Sequence, residues 1–202
     1  MKSHFKSDLN KEKRLALLID SYYLKYIQYY NYHRIGDIEK QLEGIDVLFT
    51  NKISGKIYAI DEKAQLDYIN EDLPTFAFEI SYLKNNIAKK GWLFDLSKKT
   101  DFYALITAIY EDEPDTFTSC KITIVNRKKL ICLLKEKGVS ELSISKRWSH
   151  SKKPHGKIIL NELDSRSEGY IYYSKNNKVE KPLNLVLKLD FLINNGIAKR
   201  LC

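Results

Sequence analysis

The 202-residue chain is 44% hydrophobic and 30% charged, with only 8 Gly and 4 Pro, a composition able to bury a sizeable core as one domain; it excludes disordered, collagen-like and linker-rich architectures. The formal net charge of +8 is unevenly spread, with +3 on residues 1–60, −6 on 61–120 and +11 on 121–202. A basic last third draws polyanions by Coulomb attraction and counterion release, and an acidic middle suits a divalent cation, so nucleic acid is the leading partner and a merely lysine-rich solvated surface the plain alternative.

The basic opening Met1 to Arg14 leads into an aliphatic run, Leu15 to Ile19, far too short to span a bilayer and lacking the pattern of a signal peptide. The expectation is a cytoplasmic protein without membrane association. Cys120, Cys132 and Cys202 show neither CxxC nor zinc-finger spacing, which suits reduced thiols. Residues 10–32 read as a helix, since Leu15, Leu18, Tyr22, Ile27 and Tyr29 recur at three- and four-residue steps and Gly36 follows as a stop. Residues 45–50 and 56–65 read as strands joined by the turn Asn51-Lys-Ile-Ser-Gly55, and 75–82, 101–110 and 117–125 as further strands rich in β-branched and aromatic residues. Residues 126–138 read as a helix with Asn126 as N-cap and Gly138 as its stop. Short strands at 157–160, 170–173 and 185–189 and a closing helix near 190–200 complete the chain. This order predicts an α/β protein with a mixed central β-sheet flanked by helices: a core over 1–138, and a basic C-terminal extension, 139–202, packed on the same domain.

The chemistry concentrates where the second strand leaves the core. Residues 57–60 are apolar, and Asp61-Glu62-Lys63-Ala-Gln65 follows at once. Alternation along a strand puts Asp61, Lys63 and Gln65 on one face and Glu62 on the other. Asp46 lies on the preceding strand, and hairpin pairing would bring it near Asp61. Two carboxylates and an ammonium on one patch suit phosphodiester hydrolysis: Asp46, Asp61 and the backbone carbonyl of Glu62 would hold Mg²⁺ or Mn²⁺, a hard ion that keeps several waters, and Lys63 would orient the attacking water or offset charge on the phosphate. The competing reading is a strand end whose charges merely keep an edge soluble.

These residues resemble the motif of the PD-(D/E)xK nuclease superfamily, with Asp46 as the first acid, Asp61 as the second and Lys63 as the lysine; Ile45 stands where the motif has proline. The flanking Phe76-Ala-Phe-Glu-Ile80, Gly91-Trp92 and Thr100-Asp-Phe-Tyr103 are similar to small phage or bacterial members. The resemblance implies a restriction-endonuclease-like core of helix, three strands, helix and strand, and metal-dependent DNA cleavage. The extra strands between Lys63 and residue 127 would be insertions, and symmetric cutting of both strands would favour a homodimer.

Glu79, on an apolar strand, either adds an acid facing the metal or faces solvent, and Glu43, just before Asp46, and Gln65 are further auxiliary candidates; Glu12 and Asp20 on the first helix, like Glu43, could assist at the metal, with a surface position the commoner outcome for such carboxylates. His4, His33, His150 and His155 lack metal-site spacing. Lys146, Arg147, Trp148, Lys152, Lys153 and Lys157 interleave cations with an aromatic and small hydroxyl residues, a composition suited to nucleic-acid contact; a polar loop with one anchored Trp is the alternative. The 14 tyrosines are scattered over expected core and boundary positions. Phosphate-binding Gly-rich loops and the serine-hydrolase elbow are absent. The sequence thus points to a metal-dependent deoxyribonuclease, with a catalytically inactive nucleic-acid-binding protein of the same fold as the alternative.

Overall fold

The computed structural model describes residues 5–114, 116–147, 154–176 and 180–202. In chain order the elements are α1 (Phe5–Tyr26), β1 (Tyr30–Arg34), α2 (Ile38–Leu42), β2 (Val47–Asn51), β3 (Ile57–Ala64), β4 (Thr75–Lys84), β5 (Ile87–Lys90), β6 (Phe102–Glu113), β7 (Thr116–Asn126), α3 (Arg127–Glu136), α4 (Glu141–Arg147), β8 (Gly156–Ile158), β9 (Gly169–Tyr173), β10 (Leu183–Lys188), α5 (Leu189–Asn194) and β11 (Ala198–Arg200). The protein is α/β, with a mixed sheet, a second and wholly antiparallel sheet, and a few helices. Among the described residues no helix is long and apolar enough to cross a membrane.

Two compact units share the chain. The first takes residues 1–73, 99–127 and 198–202, and the second takes 74–98 and 128–197. The boundary expected at 138 therefore falls inside the second unit, and the C-terminal residues return to the first. The inserted strands expected after Lys63 resolve in the same way: β4 and β5 belong to the second unit, whereas β6 and β7 belong to the sheet that carries β3.

The first unit is a six-stranded sheet in the order β1-β2-β3-β6-β7-β11. Neighbours run antiparallel except β3 and β6, which are parallel. A parallel pair cannot be closed by a tight turn, and here the chain passes through residues 74–98 of the second unit between the two strands. β6 is central, and its buried run Tyr103 to Ile109 is what a strand covered on both faces requires. Leu15, Ile19 and Tyr23, at four-residue steps, form the buried stripe of α1. They join a core with Val47, Phe49, Ile60, Ala104 and Ile122. The first helix ends at Tyr26, so the sequence expectation of helix through residue 32 fails at β1. That strand alternates half-buried Tyr30, Tyr32 and Arg34 with exposed Asn31 and His33, and period-two burial against β2 outweighs the helix-compatible spacing.

The second unit is a five-stranded antiparallel sheet ordered β5-β4-β10-β9-β8. Its core includes Phe78 from β4, Ile171 from β9, Leu185 from β10 and Leu130, Leu134 and Leu192 from the helices. The expected closing helix at 190–200 is divided: α5 stops at Asn194, Gly196 turns the chain at φ +64°, and β11 pairs with β7.

Gly91 packs where no side chain fits. A Cβ there would lie 2.4 Å from the Glu79 carbonyl oxygen and 2.7 Å from the Ile80 carbonyl carbon, both backbone atoms of β4. Gly36 has nothing within 4 Å of the same position. Gly91→Ala is expected to destabilise the protein by about 1–3 kcal/mol through overpacking, whereas Gly36→Ala changes stability by less than about 1 kcal/mol. Urea unfolding of the two variants beside the parent checks the contrast.

Candidate active site

The site is built where β2 begins and where the buried run of β3, Ala59 to Asp61, gives out. Gly44 turns the chain into β2 with φ +79°, a left-handed conformation that a side chain disfavours. Its carbonyl accepts a hydrogen bond from Thr100 Oγ1 at 2.8 Å. Two residues on, Asp46 is fixed by its backbone on both sides: its N–H donates to the Ile60 carbonyl at 2.9 Å, and its carbonyl accepts from the Ile35 N–H at 2.8 Å. Val47 is the register partner of Ile60, so Asp46 and Asp61 come side by side at the next step.

Asp61 is 2% exposed and continues the buried run of β3. On its other side β6 places Tyr103 beside Asp61 and Leu105 beside Lys63. Asp101 secures that junction, accepting from the Ala59 N–H through Oδ2 at 2.9 Å and donating its own N–H to the Ala59 carbonyl at 2.9 Å. The expected meeting of the two acids therefore occurs: the Asp46 and Asp61 carboxyl groups are within hydrogen-bonding reach of each other. Lys63 pairs with Asp61 on the same face. The Glu62 N–H donates to Asp46 Oδ2 at 2.7 Å.

Burial, and next the neighbouring Asp61 charge, push the Asp46 carboxyl up to about 7, against the opposing pull of Lys63 and of the Glu62 N–H. Like charges this close do not both ionise readily without a counter-charge. The pair therefore shares the negative charge of the patch and is best described as a unit.

The Glu62 side chain leaves by the opposite face, as strand alternation requires. There it accepts from Tyr23 Oη at 2.8 Å through Oε1 and from Arg34 Nη1 at 2.6 Å through Oε2. Arg34 also donates from Nη2 to Asp20 Oδ1 at 2.5 Å. Burial, and after it the Glu62 carboxylate, hold the Tyr23 phenol well above its ordinary range, so it stays a donor. Asp20, expected at the surface, is thus half of a clamp that ties α1 to β1 and β3. Tyr23 and Arg34 were not singled out by the sequence; only the four-residue spacing of Tyr23 from Ile19 and Leu15 pointed it inward, and nothing in the local string marks Arg34.

The auxiliary candidates are dispersed. Gln65 follows β3, and its N–H donates to the Ile106 carbonyl at 3.0 Å. Glu43 follows α2, and its carboxylate pairs with Lys99 at 2.7 Å on the exposed surface. Glu79 lies on β4 of the second unit, opposite Asn184 of β10. Among the nucleic-acid candidates, Lys146 is exposed near the end of α4, Arg147 closes that helix, and Lys157 is exposed on β8. Trp148, Lys152 and Lys153 lie outside the described residues.

Among the described residues no group of three or more His, Cys, Asp and Glu side chains forms a ready cation cage. The donor set at Asp46 is of another kind. Two carboxylates lie within reach of each other, hard oxygens of the kind taken by an ion that binds a few protein ligands and keeps its waters. The chemistry of these donors fits Mg²⁺ or Mn²⁺, which would relieve the repulsion between the acids. No protein-family model, curated protein or solved structure matches the chain.

The raised Asp46 value fixes a pH dependence for the metal-free protein. Between the ordinary carboxyl value of 3.8 and about 7 the unfolded chain releases a proton that the folded one keeps. This group's contribution to stability is therefore full at low pH and is lost as pH rises through that window. In EDTA, melting temperatures from pH 4 to 8 are expected to fall more steeply for the parent than for Asp46→Asn. Arg34→Met, which leaves Asp20 and Glu62 facing each other uncompensated, is expected to cost about 1–3 kcal/mol by urea unfolding.

Proposed function

We propose that the protein is a divalent-cation-dependent nuclease that hydrolyses DNA phosphodiester bonds at the Asp46–Asp61–Lys63 patch. The observation that carries this reading is two carboxyl groups within hydrogen-bonding reach of each other, one of them the buried Asp61 of β3, whose next same-face residue is a lysine. The element order supports it: α1, then the antiparallel β1, β2 and β3, then β6 parallel to β3. This resembles the PD-(D/E)xK arrangement, with an excursion through the second unit standing where that arrangement has a helix. The charge distribution supports it as well. The second unit holds 18 Lys and Arg against 9 Asp and Glu, a net of +9, and the first holds 16 against 17, a net of −1.

In this reading Asp46, Asp61 and the carbonyl of Glu62 would hold the ion, which when bound would supply Lewis acidity and an acidified water. The Glu62 N–H and the backbone clamps on Asp46 fix the carboxylate before any substrate arrives, which is the preorganisation that electrostatic catalysis depends on. Lys63 exchanges its bond to Asp61 for one to the scissile phosphate or its attacking water, and places positive charge where the phosphate gains negative charge.

The alternative, a protein that binds nucleic acid without cutting it, draws on the same Lys63–Asp61 pair, because the ammonium already neutralises the acid that a cation would otherwise neutralise. Supercoiled plasmid and branched oligonucleotides incubated with the chain and Mg²⁺ or Mn²⁺ separate the two. Nicking by the parent is expected, with losses of about 100-fold or more for Asp61→Ala and Lys63→Ala and with DNA binding retained by both. The same ions are expected to raise the melting temperature of the parent and not of Asp61→Ala. A parent that binds DNA, cuts none of these substrates and shows no metal-dependent melting shift has the binding function instead.

A further inference from the structure

The antiparallel sheet of the second unit has one face turned to its core, through Phe78, Ile171, Tyr173 and Leu185, and an opposite face of different chemistry. Register fixes that second face. Lys157, Tyr172, Asn184 and Glu79 form one row across β8, β9, β10 and β4, and Tyr170, Val186 and Ala77 form the next. Lys157 and Ala77 are exposed, Tyr170 and Tyr172 are half-buried, and Val186 is buried between its neighbours. Lys157 Nζ stands 4.3 Å over the centre of the Tyr170 ring. His155 meets the Tyr172 ring edge-on, with centroids 5.8 Å apart at 81°, and its Nε2 lies 3.5 Å from Tyr172 Oη.

The solvent side of an antiparallel sheet ordinarily reads polar. Here two aromatic rings stand at alternate positions of one strand, braced by a cation and an imidazole, in a unit that carries +9. Flat rings beside lysines on a sheet are the elements of a stacking platform: the π-face takes a nucleobase and the ammonium takes a phosphate. The spacing selects the form of the ligand. Residues two apart on a strand are about 6.7 Å apart, twice the ~3.4 Å step of bases stacked along one strand of a duplex. Successive bases can reach both rings only after they have unstacked from each other.

We propose that this face binds single-stranded DNA, with unpaired bases on Tyr170 and Tyr172, phosphates at Lys157 and Lys188, and the Asn184 amide at a base edge. Lys188 lies on the same face, two residues beyond Val186. Glu79 sits at the far end of the row, three strands from Lys157, roughly 14 Å away. The choice of DNA over RNA rests on the nuclease reading above; the stacking geometry does not.

The test is binding without catalysis. In EDTA, fluorescence anisotropy is measured with labelled dT12, a blunt 12-base-pair duplex and U12. The parent is expected to bind dT12 at least about tenfold more tightly than the duplex. Tyr172→Leu loses about tenfold for dT12 without change in salt dependence, Tyr172→Phe keeps the parent affinity, and Lys157→Gln lowers the salt slope by about one. Circular dichroism confirms that each variant is folded, and Tyr170→Leu serves in place of Tyr172→Leu if the latter is not. The proposal is overturned by a folded leucine variant that binds dT12 as the parent does, by Tyr172→Phe losing as much as Tyr172→Leu, by preference for the duplex, or by U12 binding in place of dT12. Binding is read in EDTA, where no cation is present for hydrolysis, so failure of the nuclease reading leaves this result standing and failure here leaves plasmid nicking untouched.

Discussion

Two carboxyl groups within hydrogen-bonding reach of each other, at the last buried residue of β3, are the constraint around which the first unit is arranged. In water Asp46 and Asp61 would separate; in the protein they cannot, because the Asp46 backbone is bonded on one side to Ile60 and on the other to Ile35. The repulsion is offset locally, by the Glu62 N–H on Asp46 and by Lys63 on Asp61, while burial and the neighbouring charge raise the Asp46 carboxyl above its ordinary range. An arrangement of this kind persists only on rigid supports. Those supports are the antiparallel pairing of β2 with β3 and the parallel pairing of β3 with β6, with Asp101 bridging the second pair.

Strand alternation lets one short segment do opposite things on its two sides. Asp61 and Lys63 share the side of Asp46, while Glu62 is drawn to Tyr23 and Arg34 and through Arg34 to Asp20. The bonds from α1 and β1 to Glu62 therefore also locate its N–H, which meets Asp46. Breaking the clamp would act on the acid pair through the backbone of β3, without any group of α1 touching it. The division of charge follows the same economy. The nearly neutral first unit carries the acids, and the surplus of cations resides in the second.

The site was more legible than the fold around it. Asp46 and Asp61 could be placed together because a five-residue turn between two apolar segments leaves little freedom in hairpin register. Lys63 followed from period-two alternation. Arg34 and Tyr23 could not be found this way, because their partner Glu62 is 28 and 39 residues away and side-chain pairing over that distance leaves no periodic signal. β1 was hidden because Ile27 and Tyr29 continue a helix-like spacing past Tyr26, and only the pairing with β2 decides otherwise. β11 was hidden for a related reason: three residues, Ala198 to Arg200, hold a strand only because β7 offers an open edge. The parallel pairing of β3 with β6 was beyond local reading, since the strand next in sequence, β4, joins the other sheet. Tyr170 and Tyr172 illustrate the opposite failure: their alternation was visible, but which side of the strand faced the core was not.

The polypeptide moves between its two units four times, at residues 73–74, 98–99, 127–128 and 197–198. Neither unit is therefore a stretch that can be cut out of the gene. A fragment ending at any one of these crossings lacks part of at least one sheet, and isolating the acid-bearing sheet would mean splicing three separated segments through new connections. The partition of charge is spatial without being modular: recombination that exchanges contiguous pieces would break both units before it could swap either.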